Sequence, residues 1–306
     1  MHPSPLPAPD GPRSESTESP RIGIVTVAYN SDDVLADFLA STRQASTHPL
    51  AVVVADNAPH LGTARATATA AGADYLELPN NPGYGSAANA AAALLPRSVD
   101  WLLVSNPDVV LGIGSLDTLV AAGDASPSIG AIGPSVLNPD GSVYPSARAV
   151  PSLRTGVGHA LFANLWPGNP WTRRYRHDGD VSAVPRDAGW LSGSCVLLRR
   201  TLYDELGGFD EGYFMYFEDV DLGYRASRAG WRNRYEPAAS VTHAGAHSTT
   251  SESARMIRAH HDSARRFLQR KYSAWWLWPV RVLLGASLHV RSLWVTRRAG
   301  RSHRTG

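Results

Sequence analysis

The chain has 306 residues, 43% hydrophobic and 18% charged, with a formal net charge of +2. That is the composition of a soluble globular protein, with core enough for one large α/β domain plus extensions or for two small domains. Its one cysteine, Cys195, excludes an intrachain disulfide framework and fits a reducing compartment.

Residues 1–20 hold six prolines and no apolar segment of the secretory kind, so they read as a disordered leader. Ile22–Ala28 is an apolar β-rich run that reads as a buried strand. Asn30-Ser31-Asp32 opens a helix in which Val34, Leu35, Phe38 and Leu39 recur at helical spacing. Residues 50–55 predict a second strand, 64–71 a helix, 75–78 a third strand and 83–95 an Ala-rich helix. Trp101–Ser105 predicts a fourth strand. Strands alternating with helices predict an α/β fold, a single, mainly parallel, Rossmann-like sheet with helices on both faces.

Residues 134–186 read as irregular and rich in Pro, Gly, Arg and Trp. Regularity returns over 189–200, then a helix after Asp219 and strands at 231–235 and 240–243. Residues 255–271 predict a basic helix, and 282–294 a two-faced helix with Arg281 and His289 on its polar side. No run approaches the ~20 apolar residues that a membrane-spanning helix needs. From Arg255 onward twelve Arg and Lys face one acid, Asp262, so a basic tail follows an acidic body. Such a tail points to an anionic partner: membrane phospholipid, a polyprenyl diphosphate or nucleic acid. It lacks the regular aromatic and basic interleaving of a single-strand binder, which ranks nucleic acid last.

Ligands of open α/β sheets sit beyond the carboxyl ends of the strands. Three polar clusters fall there: Tyr29-Asn30, Asp56-Asn57 and Asn106-Pro107-Asp108. One alone would be turn chemistry, whereas three would line one sheet edge together. Gly83-x-Gly85-x-x-Ala88 matches the dinucleotide fingerprint and raises a rival, a nicotinamide-dependent oxidoreductase. The match falls at the third strand instead of the first, leaves the acidic clusters without a role, and also fits a tight turn. The segment GGFDEGYFMYFEDVDLGYR, residues 207–225, delivers Glu218, Asp219 and Asp221 to the start of a helix. Acids there complement the helix dipole. Phe214, Tyr216 and Phe217 also surround them with apolar bulk, which raises a carboxyl pKa toward the range of a general base. His243 follows a strand-like stretch and pairs chemically with Asp108 as a ligand set for Mn2+ or Mg2+. His247, His260 and His261 are alternatives.

The pieces TVAYN, VVADN, NNPGYGSAAN, VSNPD, GWLSGSCVLLRR, GGFDEGYFMYFEDVDLGYR and VTHAGAHS follow one another between residues 21 and 270. In that order they resemble the family 2 inverting glycosyltransferases. PDGSVYPSAR, the NPWT neighbourhood, WLSGSC and the Trp-rich basic end are most similar to the rhamnosyl-transferring members that build the arabinogalactan linker of cell walls.

The resemblance implies a GT-A fold over 21–250, with a nucleotide-binding half to about 110 and an acceptor half beyond it. It implies donor binding by Tyr29, Asn30, Asp56, Asn57 and Asn81, and also by Gly83, Asn106 and Asp108. Asp108 and His243 would hold Mn2+ or Mg2+. Asp219 would be the general base, supported by Glu218 and Asp221, and Trp190, Gly193, Ser194, Glu218 and Arg225 would meet the acceptor. The implied donor is dTDP-L-rhamnose, and the acceptor is the 3-hydroxyl of N-acetylglucosamine on a polyprenyl diphosphate. Where the family carries Asp-x-Asp, this chain reads Asn106-Pro107-Asp108, one negative charge fewer. Residues 251–306 would form a basic helical extension that rests on an anionic membrane, at the inner, cytoplasmic face of the plasma membrane. Trp275, Trp276, Trp278 and Trp294 suit that interface. Packing of the tail on the catalytic domain or on another subunit is the alternative.

Overall fold

The first strand, β1 (Ile22–Ala28), is buried along its whole length, which requires a sheet covered on both faces. The computed structural model describes residues 19–59, 62–152, 183–245, 253–279 and 282. Strands β2 (Leu50–Asp56) and β4 (Trp101–Ser105) flank β1, and β3 (Asp74–Glu77) lies beyond β2, all in parallel. Alternation along β1 sends Ile22, Ile24 and Ala28 into one apolar layer and Val25 and Val27 into the other.

Helices close both layers. Helices α1 (Asp32–Ala45) and α2 (Thr63–Ala71) cover the first through Leu35, Phe38 and Ala68. Helix α3 (Tyr84–Ala92) covers the second with alanines, which let its backbone approach the sheet closely. Helix α4 (Ser115–Asp124) adds Leu116 and Leu119 to the first layer. Helices α5 (Arg200–Leu206) and α6 (Glu218–Arg228) add Leu202, Leu222 and Ala226 to the second.

The other half of the sheet is mixed. Beyond β4 come β11 (Cys195–Arg199), β6 (Ile129–Leu137), β12 (Arg232–His243) and, at the edge, β5 (Val109–Leu111). β11 runs antiparallel to both β4 and β6, β12 is parallel to β6, and β5 is antiparallel to β12. Two short strands pair onto this half: β7 (Val143–Tyr144) on β6 and β9 (Arg186–Ala188) on β12. A separate ribbon joins β8 (Ala147–Arg148) to β10 (Trp190–Leu191). Because β11 returns antiparallel to β4, the loop before it lies at the carboxyl end of β4. The Asn106 N–H accordingly donates to the Ser194 carbonyl at 2.9 Å.

The expected α/β architecture is present, with three local corrections. Residues 129–137 form β6, although the irregular stretch was expected to begin at 134. Gly130 and Gly133 weaken its apolar pattern because they make room for Leu202, Trp231 and Leu191. The strands expected at 231–235 and 240–243 are one strand, β12, with a register shift between Glu236 and Ser240. Over 109–128 the structure has β5 and α4, and after β11 it has α5, none of which the sequence reading assigned. Most of the leader, residues 153–182 and most of the helix expected over 282–294 lie outside the described residues. Among the described residues no helix is long and apolar enough to cross a membrane.

Trp101 anchors the sheet beneath α4. It is fully buried, its Nε1 donates to Asp124 at 3.1 Å, and the Arg199 guanidinium lies 4.3 Å over its ring. Gly123 exists to admit that ring, since a Cβ there would run into the indole and Ile132. Gly123→Ala should therefore cost about 1–3 kcal/mol through overpacking. The check is urea unfolding, where the midpoint should fall with an unchanged m value; an unchanged midpoint would mean that the indole can shift freely.

Candidate active site

The carboxyl ends of β1, β2 and β4, the loop before β11 and the start of α6 open on one cavity of about 620 Å3. Tyr29, Asn57, Asn81, Asn106, Asp108 and His243 line part of it. The antiparallel register of β12 on β5 sets His243 against Val109, the neighbour of Asp108. His243 Nε2 thereby lies 3.1 Å from Asp108 Oδ1 and 3.4 Å from Asn106 Nδ2. A carboxylate, an imidazole and an adjacent amide are donors that Mn2+ or Mg2+ accepts. Among the described residues no three His, Cys, Asp or Glu gather into one metal cluster. The residues present therefore fit an ion that takes its other ligands from water and substrate phosphates, as Mg2+ usually does.

The other residues expected on the donor side divide. Asn57 faces the cavity, with Oδ1 buried and lacking a partner among the described residues. Asn81 also faces it, at φ 41°, a backbone state that asparagine tolerates. Asp56 is buried behind them. It accepts from the Tyr75 hydroxyl at 2.7 Å and the Ala58 N–H at 2.8 Å, and it does not line the cavity. Asn30 is exposed and Gly83 sits beneath the loop, so neither lines the cavity.

The Gly83-x-Gly85-x-x-Ala88 segment serves packing. Gly83 has φ 97°, and a Cβ there would collide with the Phe214 backbone. The Tyr84 N–H, at the start of α3, donates to the Phe214 carbonyl at 3.0 Å, and Gly85 packs under Phe209. A dinucleotide pyrophosphate needs that helix start uncovered. It is covered by protein, so the oxidoreductase reading loses its site.

The turn before α6 holds Tyr216 and Phe217 at φ 68° and 67°. Such strain costs about 1–3 kcal/mol per residue and persists where packing over-determines it. Here helix α7 (Ser253–Lys271) supplies the packing: Phe217 meets Phe267 and His260, and the Ser263 hydroxyl donates to the Met215 carbonyl at 2.8 Å. The turn delivers Glu218 and Asp219 to the cavity. Asp219 Oδ2 accepts the Gly193 N–H at 2.9 Å, and Oδ1 accepts the Val220 N–H at 2.8 Å. Burial pushes the Asp219 carboxyl up, while those two N–H donors and the positive charge of Arg148 pull it back. Burial and the neighbouring Asp219 charge push Glu218 to about 8. Burial therefore raises both carboxyls, and the neighbouring Asp219 charge adds to the rise at Glu218.

Asp221 and Arg225, expected beside the base or the acceptor, do not line the cavity. Residues two apart on a helix face nearly opposite sides, so Asp221 turns away from Asp219, and Arg225, four residues on, follows Asp221. Asp221 is fully buried between Arg225 Nε at 2.7 Å and Arg270 Nη1 at 3.1 Å. Arg270 also reaches Asp210 at 2.6 Å, and Arg225 donates to the carbonyls of Leu206 and Gly208. This network fastens the aromatic turn to α6 and α7.

Trp190, Gly193 and Ser194 line the cavity. Tyr84, Arg148 and Met256 are among the lining residues that had no role in the sequence reading, and His260 was named there only as an alternative metal ligand. Tyr84 donates its hydroxyl to the Gly193 carbonyl at 2.8 Å, so Gly193 is clamped from both sides. Met256, His260, Ser263 and Phe267 form an i, i+4, i+7, i+11 stripe, a signal that was present in the sequence.

A parallel half, a mixed half and a cavity with carboxylates at the strand ends make up a glycosyltransferase fold of the GT-A type. Two solved structures share this fold. The mannosyltransferase PcManGT of Pyrobaculum calidifontis, solved with GDP-Man and Mn2+, superposes with a TM-score of 0.53 at 17% identity, over 95% of this chain and 77% of that one. GalNAc-T7, solved with UDP, GalNAc and Mn2+, gives 0.55 at 15% identity, over 81% of this chain and 48% of that one. The sequence pattern described as Glycosyltransferase like family 2 matches residues 20–261, and the chain belongs to that family. It is 44% identical to the N-acetylglucosaminyl-diphospho-decaprenol L-rhamnosyltransferase of Mycobacterium tuberculosis, over 92% of this chain and 94% of the relative. It is 26% identical to rhamnosyltransferase WbbL of Escherichia coli, over 81% of this chain and 92% of the relative.

The proton on Glu218 has a measurable consequence. Its ordinary value is 4.5 and its folded value is about 8. Between them the folded protein keeps a proton that the unfolded chain has released. This group's contribution to stability therefore falls as pH rises through that window, and levels off above it. Glu218→Gln should flatten the stability–pH curve there and gain relative stability above pH 8, read by urea unfolding on either side of the window. An unchanged slope would assign the buried proton to another group.

Proposed function

We propose that this glycosyltransferase moves L-rhamnose from dTDP-L-rhamnose to the 3-hydroxyl of N-acetylglucosamine on a polyprenyl diphosphate, with inversion and with Mn2+ or Mg2+. The mycobacterial relative supports the choice of acceptor and sugar. The observation that carries the reading is the shared cavity, in which the Asp219 carboxylate faces the same space as the Asp108–His243 pair.

In this reading Tyr29, Asn57 and Asn81 hold the nucleoside, and Trp190 and Ser194 bracket the sugars. Asp108 and His243 would bind the divalent cation, which when present offsets the charge gathering on the leaving diphosphate. The acceptor oxygen attacks the anomeric carbon as its proton passes to Asp219, and the bond to the diphosphate breaks. One displacement inverts that centre. The N–H groups of Gly193 and Val220 fix the carboxylate's direction. Protonated Glu218 spares the site a second negative charge beside it.

The segment after α7 supports attachment to an anionic membrane at its cytoplasmic face. Trp275, Trp276 and Trp278 are 77%, 64% and 59% exposed beside a basic helix. Indole rings and arginines suit the headgroup boundary of anionic lipid. Anionic liposomes should float the full-length protein at low salt and release it at high salt; binding that ignores salt, or none at all, would refute the attachment.

Transfer from dTDP-L-rhamnose to a polyprenyl-diphospho-N-acetylglucosamine should require Mn2+ or Mg2+ and stop with chelator. Asp219→Asn should lower turnover by about 10²–10⁴-fold while still binding dTDP. A near-wild-type rate in that variant would move the base elsewhere. Tight dTDP binding with no product would move the proposal to another sugar.

A further inference from the structure

We infer that Arg148 is an anion-recognition residue for the acceptor: its guanidinium takes a phosphate oxygen of the diphosphate that joins the acceptor sugar to its lipid. This rests on the reading of a diphosphate-linked acceptor given above. Among the described residues, Arg148 is the one Arg or Lys that lines the cavity, where it faces the acids Asp108, Glu218 and Asp219. A cavity of that charge has to admit two substrates that each carry a diphosphate. The donor's diphosphate has the Asp108–His243 site and its cation. The second diphosphate is left with Arg148.

The side chain is built to present a fork. Nε donates to the Pro145 carbonyl at 2.7 Å, and the guanidinium lies 5.3 Å from the Tyr144 ring centre and 5.7 Å from that of Trp190. These contacts fix its plane. Among the described residues Nη1 and Nη2 make no hydrogen bond and meet no carboxylate, whereas Arg225 engages all three of its nitrogens. Two parallel N–H groups on a fixed guanidinium match phosphate oxygens, and a lysine reproduces only the charge.

Its place in the fold selects the acceptor. Arg148 lies directly across the β8–β10 ribbon from Trp190, and that ribbon leads into Gly193, which holds Asp219. The charge of Arg148 reaches Asp219. In the proposed acceptor, the hydroxyl that gives up its proton and the phosphate on the anomeric carbon belong to one sugar ring. A cation neighbouring the base is therefore placed for the phosphate of the molecule the base deprotonates.

The test uses the full-length enzyme, Arg148→Gln and Arg148→Lys, with two acceptors: a short-chain prenyl-diphospho-N-acetylglucosamine and a neutral alkyl glycoside of N-acetylglucosamine. Losing a charged hydrogen bond corresponds to roughly 10–150-fold. KM for the diphosphate acceptor should rise by about that factor in Arg148→Gln. Lysine should restore part of the loss, kcat/KM for the neutral glycoside should fall far less, only by what losing the Arg148 charge does at Asp219, and calorimetric affinity for dTDP should not change. Equal losses on both acceptors would reduce Arg148 to a packing role, and weakened dTDP binding would move it to the donor; either overturns the inference. Calorimetry of the diphosphate acceptor on dTDP-loaded enzyme separates the two readings. Arg148-dependent binding without rhamnosyl transfer would fail the proposed reaction and uphold the anion site. Transfer that does not distinguish the charged from the neutral acceptor would do the reverse.

Discussion

The hydrogen bond from the Gly193 N–H to Asp219 Oδ2 is the contact around which the site is arranged. A carboxylate removed from water is unstable as an anion unless donors replace the lost solvent. Gly193 and Val220 supply two such donors at the start of α6. Gly193 is in turn held by the Tyr84 hydroxyl, and Tyr84 by the Phe214 carbonyl. The chain of contacts closes because Gly83 leaves room for Phe214. The glycine motif, the Gly193 loop and the aromatic turn with its carboxylate pair are one mechanical unit assembled from three separate stretches of sequence.

That unit stands on a buried ionic network. Asp221 lies fully buried between Arg225 and Arg270, and Arg270 continues to Asp210. Buried pairs of this kind add little net stability, because desolvation offsets the attraction. Removing one partner leaves an uncompensated charge and is costly. Their effect here is to fix direction: α6 cannot rotate and carry Asp219 out of the cavity without breaking the pair. Arg270 belongs to α7, whose Met256 and His260 form part of the cavity wall. The basic helix leading to the exposed tryptophans is therefore also a wall of the site, and the two roles foreseen for the tail, packing and surface attachment, are compatible.

The cavity is acidic, yet the nucleotide-sugar donor and the acceptor proposed here are both anionic. Three features resolve this conflict. Glu218 stays protonated to about pH 8, which withholds one charge. Asn106 stands where the family carries an acid, which withholds another. In the proposed reaction the Asp108–His243 pair, through its cation, and Arg148 would meet phosphate from two parts of the lining.

Much of this was legible in the sequence. Apolar runs bounded by turn residues are a local property, and they placed β1, β2, β4 and the helices between them. The polar clusters at the strand ends and the acids opening α6 followed from the same local reading. Other features depended on pairing between residues far apart in the chain. The Asp108–His243 contact exists because β12 lies against β5, a strand of three residues too short to announce itself. Asp221 and Arg225 read as partners of Asp219, and the pitch of the helix turned them to its far side. Gly130 and Gly133 hid β6, since what they make room for belongs to other elements. Arg148 carried no periodic signal, and only the β8–β10 ribbon sets it beside Trp190. Local propensity fixes which segments are strands and helices, because neighbours in sequence create it. Which side chains share a cavity depends on the order and direction in which the strands pair, and those were decided by burial of the whole sheet.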